Sequence, residues 1–179
     1  MQKISAFLRR KDIVFSPKRY FIDAMSAMAQ GLFCTLLVGT ILDTIGKQFG
    51  IGFLTDTFLT IKQGDVTFYY TIGGFCSLMV GPAMAVAIGK ALEAPPLVLF
   101  SLITVGFATN VLGGTGGPLA VFFVAILAAE VGKAISKETK IDILVTPIVT
   151  VLAGIGIARL VAAPIGTAAS AVGSFIKWA

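Results

Sequence analysis

Histidine is missing from this 179-residue chain, and charge is scarce, at 13% of residues against roughly 25% in ordinary globular chains. The first absence removes the commonest general base, the commonest metal ligand and any phosphohistidine relay within the chain. Two cysteines, Cys34 and Cys76, both inside apolar runs, supply neither a disulfide framework nor a zinc site. No nucleophile–base pair is legible, so catalysis by this chain alone is not expected. No cofactor, no metal and no nucleic-acid partner is predicted. A cleavable signal is not predicted either, because no A-x-A site follows a short apolar core.

What is present is apolar. Hydrophobic residues make up 56% of the chain and mean hydropathy is +0.95. A soluble protein of this size has no core large enough for that surface, so lipid must solvate most side chains. The runs have helical length and lack the short alternation of barrel strands. The expected fold is all-α: a polytopic membrane helix bundle of five to six spans with Gly/Pro-broken helices.

Residues 1–19 read as a basic cytoplasmic segment in which Ile4, Phe7, Leu8, Val14 and Phe15 alternate with Lys3, Arg9, Arg10 and Lys11. Such a helix lies flat at the headgroups. Ser16-Pro17 marks the start of the next helix. The transmembrane domain, 20–179, has expected spans at 20–45, 67–89, 97–112, 119–135 and 143–163, with a looser segment at 46–66. Residues 164–178 form a re-entrant piece or a sixth helix. Basic loops around Lys90 and Lys133–Lys140, with six basic residues ahead of the first span, set the N-terminus in the cytosol. A weak echo links Ile88-Gly-Lys-Ala-Leu92 to Val131-Gly-Lys-Ala-Ile135 and suggests a parallel repeat.

Polar residues within lipid need a partner or a cavity. Glu130 is either an i,i+3 partner of Lys133 or a ligand contact. Arg159 either anchors at the outer interface, paired with Asp43, or faces a cavity. Asp23 reads as interfacial, while Gln30 and Asn110 bridge helices or meet a solute. Gly113, Gly114, Thr115, Gly116 and Gly117 ahead of Pro118 form either a tight outer turn or a broken helix whose amides face a hydroxyl-rich or anionic ligand. The required Gly-Lys-Ser/Thr of a phosphate-binding loop is missing. Thr146 completes the candidate substrate-binding set.

Gly116-Gly-Pro-Leu-Ala-Val121, Glu130-Val-Gly-Lys133 and Ser136-Lys-Glu-Thr-Lys-Ile-Asp-Ile-Leu-Val-Thr-Pro147 carry a resemblance. From about Asp12 to Trp178 the chain resembles the phosphotransferase-system EIIC-type membrane proteins that include the PfoR-like toxin regulators. The resemblance implies a sugar permease domain in a bacterial inner membrane, phosphorylation by a separate cytoplasmic phosphotransferase subunit, and no agreed catalytic residues. Against the usual length of that family the chain looks like an N-terminal half, either a piece of a longer protein or a short variant that assembles with itself, and a homo-oligomer among membrane lipids is expected. The expected function is therefore translocation of a small solute, a sugar. The alternatives are a membrane-embedded ligand sensor or regulator, and a lipid- or fatty-acid-handling protein.

Overall fold

Lys18–Phe49 forms one long helical stretch, and the backbone amide of Tyr20 bonds to the Ser16 carbonyl at 3.1 Å, as the predicted Ser16-Pro17 start requires. The computed structural model describes residues 2–178. Met1 and Ala179, and the side chains of residues 2–5, 63, 177 and 178, lie outside the described residues, the Lys3 and Ile4 positions of the amphipathic pattern among them. The elements in chain order are α1 (Gln2–Arg10), α2 (Lys18–Phe49), α3 (Gly52–Thr55), β1 (Leu59–Gln63), β2 (Val66–Tyr70), α4 (Ile72–Leu78), α5 (Val80–Ala91), α6 (Pro96–Gly113), α7 (Gly117–Ile135) and α8 (Asp142–Trp178). The chain divides into two compact units, Met1–Gly31 with Gly81–Ala179, and Leu32–Val80.

In the larger unit α6 and α7 are antiparallel. The turn Gly114–Gly116 joins them. A Cβ on Gly117 would fall 2.5 Å from the Asn110 carbonyl oxygen at one end, and one on Gly132 would fall 2.7 Å from Val98 Cγ1 at the other. The third helix, α8, packs across both: a Cβ on Gly154 would meet Val105 at 2.5 Å and Ala128 at 3.2 Å. Small residues thus let three backbones approach closely, the packing mode that apolar solvent favours. Val98, Leu102, Val105, Val121, Val124 and Ala128 are fully buried between them. The buried hydroxyls of Thr109 and Thr150 donate to the carbonyls four residues back, at 2.7 and 2.8 Å, so neither hydroxyl is stranded.

The smaller unit holds the rest of α2, the short α3, a β-hairpin and α4. The hairpin is a two-residue turn, Gly64-Asp65, with Gln63 opposite Val66 and Leu59 opposite Tyr70. Gly64 takes the left-handed φ of +61° that such a turn demands. Thr71 caps α4, its Oγ1 accepting from the Gly74 amide at 3.0 Å and donating to Asp43 Oδ1 at 2.9 Å.

Several expectations need correction. The segment read as loose contains the hairpin, and Thr67–Tyr70, assigned to the second span, belong to β2. Helix resumes only at Ile72 and is broken again at Met79, between α4 and α5, just before the predicted Gly81-Pro82 break. Residues 164–178 are neither re-entrant nor a separate helix. They continue α8, which keeps Pro147 and Pro164 inside it. Among the described residues three helical stretches are long and apolar enough to cross a membrane, or up to four if α4 and α5 together make one span. The five to six spans expected are not confirmed by that count, in which the stretch Pro96–Ile135 takes in both arms of the α6–α7 hairpin.

Candidate functional site

Left-handed backbone at residues other than glycine is uncommon and costs energy. Among the described residues three adopt it: Asp12 (φ 52°), Glu93 (φ 55°) and Lys137 (φ 62°). Each follows a helix C-terminus. The amides of Ile13 and Ala94 reach back to the Leu8 and Gly89 carbonyls at 2.9 Å, the closure expected when the preceding residue is left-handed. All three line one cleft of about 310 Å³, together with Arg10, Lys11 and Lys133. Three helix ends therefore turn into the same place.

The cleft floor is an ionic network. Lys133, 1% exposed, donates from Nζ to the carbonyls of Asp12 and Leu92, each at 2.7 Å, and faces Glu130 Oε2 at 3.4 Å and Asp12 Oδ2 at 3.8 Å. Arg19 donates to the same Leu92 carbonyl at 2.8 Å and pairs with the Asp12 carboxylate. Two cations thus cover the carbonyl end of α5, where the helix dipole is negative. The Tyr20 hydroxyl donates to Glu130 Oε1 at 3.1 Å. At the rim, Arg10 and Lys11 both reach Glu138 Oε1 at 2.5 Å, tying α1 to the loop that precedes α8. The hydrogen bond from Arg19 holds the Asp12 carboxyl below the ordinary carboxylate range, and that from Lys11 does the same for Glu138. Asp142 Oδ1 accepts from the Lys137 amide and the Thr146 hydroxyl, each at 2.6 Å, which closes the loop.

Beside this cleft lies a second, of about 360 Å³, which shares Asp12 and Glu93 with it and contains Asp23 and Ala91. Those two residues in turn line a third groove of about 390 Å³ with Ser26, Gln30 and Lys90, between α2 and α5. A run of polar clefts therefore follows one end of the unit.

The predicted site residues do not form one cluster. Asn110, Gly113, Thr115, Gly116 and Gly117 meet at the tip of the α6–α7 hairpin. Glu130 lies thirteen residues along α7 from Gly117, about 20 Å away by the helical rise. At the tip the glycines serve contact with α8: a Cβ on Gly116 would fall 2.6 Å from the Cα of Gly166, and one on Gly166 would strike the Gly113 carbonyl. Thr115 Oγ1 and Ser170 Oγ lie 2.5 Å apart. Gly114 is exposed with nothing near its missing Cβ, and its φ of 52° makes the reversal. Thr146 is buried and engaged with Asp142, Arg159 is exposed on α8, and its expected partner Asp43 accepts the Thr71 hydroxyl instead. Gln30 lines the groove described above.

The sequence reading found the Glu130–Lys133 pair from its spacing, but not Asp12, Arg19, Tyr20 or the Leu92 carbonyl, which converge from distant positions. The two stretches read as a repeat also differ in surroundings, since Lys90 is exposed where Lys133 is buried.

A comparison with family models finds a match to "Phosphotransferase system, EIIC" over residues 22–179. No curated protein and no solved structure matches the chain.

Proposed function

The chain belongs to the phosphotransferase-system EIIC family, and from that premise we propose that it carries a sugar across a bacterial inner membrane. The coarser statement, a permease-like membrane protein of the phosphotransferase type, follows from membership and from its apolar helices. The single observation that carries the proposal is the extent of the match, which takes in nearly all of α2 and everything after it.

We place five crossings at α2, the broken α4–α5 pair, α6, α7 and α8. The 18 residues of α6 and 19 of α7 give rises of about 27 and 28 Å, close to a hydrocarbon core of about 30 Å. The amino end is cytosolic in this reading, since Arg10, Lys11, Lys133 and Lys137 gather at one cleft and cytoplasmic loops collect positive charge. Phosphoryl transfer falls to a separate cytoplasmic subunit, because the chain offers no histidine to carry it. Assembly with further copies supplies the wall of the path that one chain leaves open. The polar clefts near Asp12 and Asp23 are where solute would meet water.

A ligand sensor is the second reading. The ion pairs from Arg10 and Lys11 to Glu138 favour it, because they couple α1 to the loop between α7 and α8. One experiment separates the two. Purified protein in liposomes, given a labelled hexose and the phosphorylating subunits, should accumulate sugar phosphate inside. Saturable binding without accumulation would replace the permease with the sensor.

A further inference from the structure

We infer that the groove between α2 and α5, lined by Asp23, Ser26, Gln30 and Lys90, is a water-filled binding site for a neutral, polyhydroxylated ligand. The inference rests on the permease reading for why such a ligand should arrive, and on the geometry for where it binds.

Asp23, Ser26 and Gln30 follow one another at i, i+3 and i+7, which puts them on one face of α2. All three are exposed, as is Lys90 across the groove. Their depth makes that exposure significant. Ser26 and Gln30 lie eight and twelve residues beyond Lys18, about 12 and 18 Å along a helix long and apolar enough to span the bilayer. A polar stripe at that depth cannot face acyl chains without a large penalty, so it faces water or a ligand.

The contrast with the neighbouring cleft is the second observation. Around Lys133 the charged groups are matched to one another or to backbone carbonyls. In the groove, none of the four side chains has a hydrogen bond or ion pair with another described residue. One set of polar groups is spent on holding helix ends together, and the other is left free.

Packing explains how the groove stays open. A Cβ on Gly31 would fall 2.8 Å from the Cα of Met84, so α2 and α5 are in backbone contact there. Toward Asp23 and Lys90 the two helices leave about 390 Å³ between them, within the range of small-molecule sites.

The donor set selects the ligand. Asp23 only accepts, Lys90 only donates, and Ser26 and Gln30 do both. One carboxylate and one ammonium give the groove no net charge, so an anion meets Asp23 and a cation meets Lys90 at equal disadvantage. A ligand with closely spaced hydroxyls satisfies all four at once.

The test uses the full chain, with Cys34→Ala and Cys76→Ala, reconstituted in phosphatidylcholine vesicles. Ser26→Cys and Gln30→Cys should react with a charged methanethiosulfonate severalfold faster than Phe100→Cys, a control on the apolar face of α6. Glucose, maltose or mannitol should slow that labelling severalfold. In sugar-binding assays, Gln30→Ala should weaken half-saturation up to roughly tenfold, the loss of one hydrogen bond. Labelling no faster than at Phe100→Cys would put the stripe in lipid and overturn the inference. Labelling that phosphatidylethanolamine slows and none of the three polyols slows would overturn the ligand assignment. Unchanged half-saturation in both Gln30→Ala and Asp23→Asn would place the sugar elsewhere and leave the permease reading intact. Polyol protection without uptake in the wild type would instead remove the permease and keep the groove.

Discussion

Lys133 and Glu130 stand one turn apart on α7, Nζ to Oε2 at 3.4 Å, with their side chains 1% and 13% exposed. The lysine also holds two backbone carbonyls, so its removal strips several partners at once. Breaking a buried pair by deleting one member costs about 3–5 kcal/mol, because the remaining charge is left unpaired. Lys133→Met should therefore lower the unfolding temperature well beyond Lys90→Met, whose lysine is exposed. Glu130→Gln, which retains the contact with Tyr20, should cost less than Lys133→Met. Combining the two should recover part of the loss. Equal melting temperatures for Lys133→Met and Lys90→Met would show the network to be dispensable.

Acid should loosen the same end of the molecule. Asp12 and Glu138 are both held below the ordinary carboxylate range, mainly by Arg19 and Lys11. A depressed carboxylate contributes stability that is complete above its unfolded pKa, about 4, and is lost as pH falls through the lower folded value. Unfolding temperature should be flat from about pH 7 to 5 on this account and fall below about pH 4. Asp12→Asn should start lower at neutral pH and fall less steeply. Because both carboxylates are substantially solvated, the effect is expected to be modest.

The glycine-rich hairpin tip separates packing from flexibility. Gly116→Ala and Gly166→Ala each force a methyl group into backbone where the hairpin tip, the end of α6 and the turn after it, meets α8, an overpacking that costs roughly 1–3 kcal/mol. Gly156 sits on the same α8 with nothing within 4 Å of its missing Cβ. Gly156→Ala should therefore be neutral or stabilising by up to about 1 kcal/mol, from helix propensity alone. Thermal unfolding of the three variants checks the ranking. A Gly116→Ala protein as stable as the wild type would return the tip to a loose loop.

What the sequence disclosed follows its physical signal. The boundaries of α6 and α7 were legible to within two residues, because Pro95-Pro96 and Gly113–Pro118 punctuate long apolar runs. The hairpin was not, although Gly64-Asp65 is a turn signal, because Thr67–Tyr70 and the α4 residues read as one apolar run. Pro164 and Gly166 suggested a break in α8. Gly166 is instead the small residue that lets Gly113 and Gly116 approach, a role visible only once the hairpin docks on that helix. Glu130–Lys133 could be found from an i,i+3 spacing. The contributions of Asp12, Arg19 and Leu92 could not, since they depend on three helix ends meeting.

Thr71 joins two local decisions in the smaller unit and gives a test confined to it. Its hydroxyl oxygen accepts from the Gly74 amide at the start of α4 and its proton goes to Asp43. Thr71→Val keeps the shape and removes both bonds. Loss of an N-cap costs about 1 kcal/mol, and a half-buried carboxylate loses its donor as well. Thr71→Ser restores both contacts and should recover most of the stability. Amide exchange should localise the Thr71→Val effect to α4 and the neighbouring part of α2, leaving α6, α7 and α8 protected. Uniform loss of protection across all helices would mean that the two units unfold as one.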